Sequence, residues 1–180
     1  RIGTVINPML LDYWPQYEAL IKAIRPYTWA LFRPINQYHN PRYNLNKKDY
    51  YRLAKRVLIL NREGISTKIA NALPFCYQPD INLTASTMLG ALSDDGNTRL
   101  VWDVRGFFKP SYFIDKNLGI TITNAWKHPF LKKLKNTAYL PEECQTCTFW
   151  KWCRGGSRAL AGKTYNTYFT ADPWFDKEIA

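Results

Sequence analysis

Apolar and polar positions alternate along the first third of this chain with two different periods. Ile2 to Ile6 is a short strand-like run, closed by Asn7-Pro8. Apolar residues then recur at Tyr17, Leu20, Ile21 and Ile24, the three-and-four spacing that buries one face of a helix. Pro15 fits only a first helical turn, so this helix is predicted to begin near Trp14 and to stop before Pro26. Thr28 to Pro34 predicts a second strand, leading through the loop from Asn36 to Pro41 to a second helix. That helix opens with Asn46 as N-cap and Asp49 three residues later, buries Tyr50, Leu53, Ala54, Val57 and Leu58, and stops at Gly64. Ser66 to Ile69 reads as a third strand. Strands alternating with amphipathic helices predict βαβ units around a parallel sheet, and hence an α/β fold. Three strands are few for a complete domain of that kind, which needs both sheet faces covered.

Beyond Cys76 the pattern changes. Residues 82–87 are polar and turn-like, and Met88 to Leu92 and Arg99 to Trp102 flank Asp94, Asp95, Gly96 and Asn97 in the manner of a β-hairpin. Gly119 closes a further loop, and Pro129 to Lys135 predicts a short basic helix that leads to Leu140-Pro141.

Candidate chemistry is concentrated between Leu140 and Ser157. Cys144, Cys147 and Cys153 are spaced C-x2-C-x5-C ahead of Gly155-Gly156, and they are three of the chain's four cysteines. A C-x2-C pair presents two thiolates to one centre from a single turn, and a third nearby cysteine is the local supply used by iron–sulfur and zinc sites alike. Any disulfide scheme leaves one of the three locally unpaired. Cys76, after Leu73-Pro74-Phe75, reads as a buried thiol or a cavity-wall residue. His39 and His128 are the only histidines. A Cys3His zinc site through His128 lacks the usual short ligand spacing.

The run from Leu140-Pro141 through C-x2-C-x5-C to Arg154-Gly155-Gly156 resembles the auxiliary-cluster (SPASM) domain of radical S-adenosylmethionine (SAM) enzymes. The resemblance covers the chain loosely and residues 76–175 more specifically. Its family pattern is C-x9-15-G-x4-C, then C-x2-C-x5-C-x3-C, then a last cysteine, which together hold two 4Fe–4S clusters. Here Gly106 to Ser111 matches the G-x4-C element with serine in the cysteine position, and Ser157 stands in the x3-C position. The resemblance thus implies that one cluster site is lost as a unit, while Cys144, Cys147 and Cys153 remain as ligands of the other. A fourth ligand is then needed. Asp172 is the first candidate, with water, a substrate atom or Cys76 as alternatives, although Asp172 before Pro173 also reads as a turn cap.

The same resemblance implies that residues 1–75 form the second half of a partial (β/α) TIM-like barrel, and residues 76–180 a small α+β SPASM-like domain with a hairpin and a cysteine loop. Arg33, at the end of its strand, becomes a candidate contact for a carboxylate of SAM or substrate, or else a sheet-edge arginine. The C-x3-C-x2-C loop that binds the catalytic cluster of these enzymes is not found in the chain. SAM and a second 4Fe–4S cluster are therefore expected only with a missing N-terminal barrel half, and the chain alone is not expected to cleave SAM. The implied enzyme modifies a peptide or a small metabolite. The alternative is a non-catalytic module that clamps a peptide or partner, with structural zinc or a vestigial metal site.

Lys and Arg total 25 against 14 Asp and Glu, a formal net charge of +11, which favours an acidic partner such as an acidic peptide. The basic residues are scattered over polar helix faces, so nucleic acid is not the expected partner even with 16% aromatic residues available for stacking. No apolar run approaches the roughly 18 residues of a membrane span, and reduced thiols with an oxygen-sensitive cluster predict the cytoplasm. Half a barrel leaves strand edges and apolar helix faces uncovered, so the isolated chain is expected to dimerise or to be poorly soluble. Analytical ultracentrifugation checks this, and a stable compact monomer would contradict the half-barrel reading.

Overall fold

The structure, a computed structural model, describes residues 1–35, 45–91 and 96–179 of a mixed α/β protein. The predicted loop at residues 36–41, His39, and Asp94 and Asp95 lie outside the described residues. Two compact units are formed, one from Arg1–Asn71 with Gln78–Leu89, the other from Ala72–Tyr77 with Gly90–Ala180.

The first unit contains strands β1 (Ile2–Val5), β2 (Trp29–Phe32) and β3 (Thr67–Ala70), joined by helices α1 (Pro8–Asp12), α2 (Trp14–Ile24) and α3 (Lys47–Arg62). The strands form one parallel sheet in the order β1-β2-β3, with Ile2 opposite Trp29 and Trp29 opposite Thr67. Helices between consecutive parallel strands are the βαβ arrangement that the alternating pattern predicts. At one edge Ile69 bridges Met88, and the Leu89 N–H donates to the Ile69 carbonyl. At the other edge, β1 has no strand partner among the described residues, and Val5 is half exposed.

Helix α3 begins as expected. The Asn46 side chain accepts from the Asp49 N–H at 3.0 Å, and the Asp49 carboxylate accepts from the Asn46 N–H at 3.2 Å, a reciprocal capping box. Its buried face is Tyr50, Leu53, Ala54, Val57 and Leu60. Leu60, not Leu58, completes that stripe, because Leu58 lies a further 100° around the helix from Val57 and is only half buried.

Helix α2 departs further from expectation: Leu20 and Ile24 are 53% and 52% exposed. The Trp14 ring stacks on Trp29 with centroids 5.2 Å apart, and its indole N–H donates to Glu18. The buried stripe therefore runs through Trp14 and Ile21, and Leu20 and Ile24 are left on its outer flank. The polar stretch 82–87 is not a turn. It lies in a helix, α4 (Ile81–Thr87), capped by the Asp80 side chain on the Leu83 N–H. Hydroxyls of Thr84, Ser86 and Thr87 donate back to carbonyls three or four residues earlier, so these polar side chains are satisfied inside the helix.

In the second unit the hairpin sits later than predicted. Strands β4 (Val101–Asp103) and β5 (Phe107–Lys109) pair antiparallel, while Met88 belongs to the first unit. The turn is set by Gly106, at φ +84°, and by the Asp103 carboxylate accepting from the Arg105 N–H at 3.0 Å. The Arg105 guanidinium beside Asp103 holds that carboxyl well below the usual carboxylate range. Five short helices follow: α5 (Ile122–Lys127), α6 (Pro129–Asn136), α7 (Glu142–Thr146), α8 (Trp150–Cys153) and α9 (Arg158–Tyr165). Leu118, Ala125, Leu131 and Leu134 make the buried cluster between the hairpin and α6.

The capping box supplies a direct check on the first unit. Asn46→Ala is expected to lower stability by about 1 kcal/mol, whereas Asn46→Ser loses much less, as read from urea unfolding midpoints.

Candidate metal centre

The cysteine loop is built from short helical turns. Pro141 precedes α7, Cys144 sits within it, and Cys147 follows its last turn. Cys153 is the last residue of α8, after which Arg154, Gly155 and Gly156 take φ of +50°, +70° and +80° in succession. Ser157 then N-caps α9, its hydroxyl accepting from the Leu160 N–H at 3.2 Å. In this sharp reversal the Gly156 N–H donates to the Cys153 carbonyl at 3.0 Å. Consecutive N–H groups in such a turn form a concavity for negative charge. Glycine is required at 156 on two counts. The left-handed conformation disfavours a Cβ, and one placed there would stand 2.6 Å from the Asp172 Cβ and 2.8 Å from the Pro74 nitrogen.

Pro74 is close because residues 72–77 belong to this unit. Phe75–Tyr77 is a 3-10 turn closed by the Tyr77 N–H on the Pro74 carbonyl at 3.2 Å. The Phe75 N–H donates to the Cys153 sulfur at 3.3 Å, and the Phe75 ring meets Phe149 edge-on at 6.0 Å. Cys76, the next residue, is buried. All four cysteines are thus in one unit, and all four are free thiols.

Their electrostatics are coupled. Burial pushes the Cys144 thiol up to about 12, and the Cys153 and Cys76 thiolates push in the same direction, while Arg158 acts the opposite way. Burial likewise pushes Cys153 up to about 11, against the N–H groups of Phe75, Gly155 and Gly156. Cys76 is raised by burial first and also by a Cys147 thiolate. In the metal-free protein Cys144, Cys153 and Cys76 are therefore neutral at pH 7. Four thiolates ionise together in such surroundings only if a cation compensates them, and thiolate sulfur selects soft metals. Among the described residues, no group of three or more His, Cys, Asp or Glu side chains stands at distances that hold a single ion. The fit to a metal rests on the chemistry of the donor set alone: four free thiols in one unit, with the Phe75 N–H on the Cys153 sulfur.

The other candidate residues have defined places. Asp172 is 2% exposed, and both carboxylate oxygens accept backbone N–H groups, Oδ2 from Ser157 and Oδ1 from Trp174, each at 2.9 Å. Its own N–H donates to the Gly155 carbonyl at 2.8 Å, so Asp172 clamps the C-terminal segment to the glycine turn. Ser111 is buried, with its hydroxyl accepting from the Phe113 N–H at 3.2 Å. His128 caps α6 through Nδ1, which accepts from the Phe130 N–H. Arg33 lies in the first unit, directly after β2, and is fully buried. Cys76, which the sequence offers as an alternative fourth ligand or a buried thiol, is a buried thiol in the second unit.

These environments predict thiol reactivity in the metal-free chain. At pH 8, iodoacetamide is expected to label half-buried Cys147 at least about tenfold faster than Cys144 or Cys153, as read by peptide mass spectrometry. Stability is expected to fall as pH rises from about 9 towards 11, because the unfolded chain then releases thiol protons that the folded chain retains. No family model matches the chain, and neither a curated protein nor a solved structure matches it.

Proposed function

We propose that this chain is the C-terminal portion of a radical SAM enzyme of the SPASM type, modifying a peptide or a small metabolite and holding one auxiliary 4Fe–4S cluster. The observation that supports the reading best is that the C-x2-C-x5-C cysteines and Cys76 all belong to the second unit as free thiols, with the Cys153 sulfur accepting the Phe75 N–H beside a glycine turn. Cys144, Cys147 and Cys153 are the residues that would hold the cluster. When bound, it supplies a one-electron redox centre whose potential depends on burial and on hydrogen bonds to sulfur. The chain's own part is to exclude water and to direct N–H groups at the ligand atoms.

In this reading the first unit is the second half of a partial (β/α) barrel, supported by its parallel β1-β2-β3 sheet with intervening helices. Ligands of such sheets bind at the carboxyl ends of the strands, where Arg33 follows β2, so Arg33 is the proposed contact for a carboxylate of SAM or substrate. Reductive cleavage of SAM requires an upstream C-x3-C-x2-C segment, carried by this or another polypeptide. The net charge of +11 suits an acidic peptide.

Metal analysis tests the proposal. Protein purified and reconstituted without oxygen is expected to carry about four irons and four sulfides per chain, and Cys147→Ser to lose them. Zinc alone, or no metal with unchanged folding in the variant, would replace this reading with a non-catalytic binding module.

A further inference from the structure

The first unit holds a cleft whose opposite charges are kept apart. It lies between α1 and the first turns of α3, has a volume of about 310 Å³, and is lined by residues of this unit alone. That size is at the small end of ligand pockets and suits a ligand of few atoms. Pro8, Leu11 and Leu45 give the cleft an apolar wall, and Asp12, Asp49, Arg52 and Arg56 give it a charged one.

The two arginines stand one turn apart on α3. Arg56 is fixed by neutral groups: its Nη1 donates to the Leu11 carbonyl at 3.4 Å, and its guanidinium lies over the Trp14 ring at 5.3 Å. Both contacts orient the cation and neither neutralises it. Glu18, whose carboxyl feels the Arg56 charge, is itself taken by Lys22 at 2.6 Å and by the Trp14 indole N–H at 2.7 Å. Among the described residues Arg52 pairs with Asp49 alone, at 3.8 Å, and the Asp49 carboxylate is committed to the Asn46 N–H of the capping box. Like charges one turn apart repel, and an anion between them relieves the repulsion.

Asp12 faces the same cleft from the last position of α1. It is exposed, and among the described residues no ion pair or hydrogen bond engages its carboxylate. Opposite charges that line one cleft without meeting are what a small zwitterion completes, because each of its ends then finds a charged partner.

We propose that this cleft binds a free α-amino acid with an apolar side chain: its carboxylate between Arg52 and Arg56, its ammonium on Asp12, and its side chain against Pro8, Leu11 and Leu45. The cleft belongs to the first unit and owes nothing to the cysteines, so the site stands whether or not the chain carries iron. Such a ligand ties α1 to α3 and meets both only in the folded chain, so it raises the unfolding midpoint.

The test uses the full chain with L-leucine as probe. L-Leucinamide, which lacks the carboxylate, and N-acetyl-L-leucine, which lacks the ammonium, serve as its one-charge analogues. Binding is read by isothermal titration calorimetry, stabilisation by the thermal unfolding midpoint, and folding of each variant by circular dichroism. L-Leucine is expected to saturate the chain below about 10 mM, with each analogue at least about tenfold weaker, because each leaves a charged group of the cleft unmatched. Asp12→Asn is expected to weaken L-leucine about tenfold and to erase its advantage over N-acetyl-L-leucine. Arg52→Gln is expected to narrow its advantage over L-leucinamide, and Arg56→Lys, which keeps the charge, to retain most of the affinity. Asp12 and Arg52 are exposed, so their variants are expected to fold as the wild type does. The inference is overturned by any of three results: no saturable binding of L-leucine up to about 10 mM, analogues that bind as well as L-leucine, or Asp12→Asn and Arg52→Gln proteins that bind it unchanged.

Discussion

The second unit is organised around the desolvation of sulfur. A thiol is a weak hydrogen-bond acceptor. The Cys153 sulfur nevertheless receives the Phe75 N–H at 3.3 Å, from a separate stretch of chain. Such a contact stabilises negative charge on the sulfur, and burial works against that charge. The left-handed turn at 154–156 follows Cys153 directly, and the Asp172 clamp holds that turn. Substituting any one of these features loosens the rest, because they share the same few atoms.

The hairpin is held by a different kind of force. There Arg105 lies between Asp103 and Asp115, and the buried Lys109 joins the same carboxylates. The exposed Arg105–Asp115 pair contributes little to stability, and the network serves to define a turn. Around the cysteines Arg158 acts favourably on Cys144, and the dominant influence is exclusion of water. Ser111 and Ser157 both accept backbone N–H groups, and Ser157 caps α9. At those positions hydroxyls fulfil local structural demands that thiols meet poorly.

Much of the first unit was legible in the sequence because its signals are local. Asn46 with Asp49, the stripe from Tyr50 to Val57, and the three short apolar runs each carry their own period or cap. The errors arose where tertiary contacts decide. Trp14 stacking on Trp29 sets which flank of α2 is buried, and no periodicity within α2 states where Trp29 is. Residues 82–87 looked like a turn because serine and threonine usually compete with helices, whereas here their hydroxyls bond within one. The cysteine triplet is marked by its spacing, whereas the contact between the Phe75 N–H and the Cys153 sulfur joins segments far apart in sequence and carries no local signal.

The chain passes from one unit to the other three times, at residues 71–72, 77–78 and 89–90. The six-residue excursion from Ala72 to Tyr77 carries Cys76 with it. No single cut of the chain therefore separates the two units: any one break leaves part of one unit attached to the other. The two units are each compact in space yet interleaved along the chain, so neither can be made as one continuous segment without residues of the other.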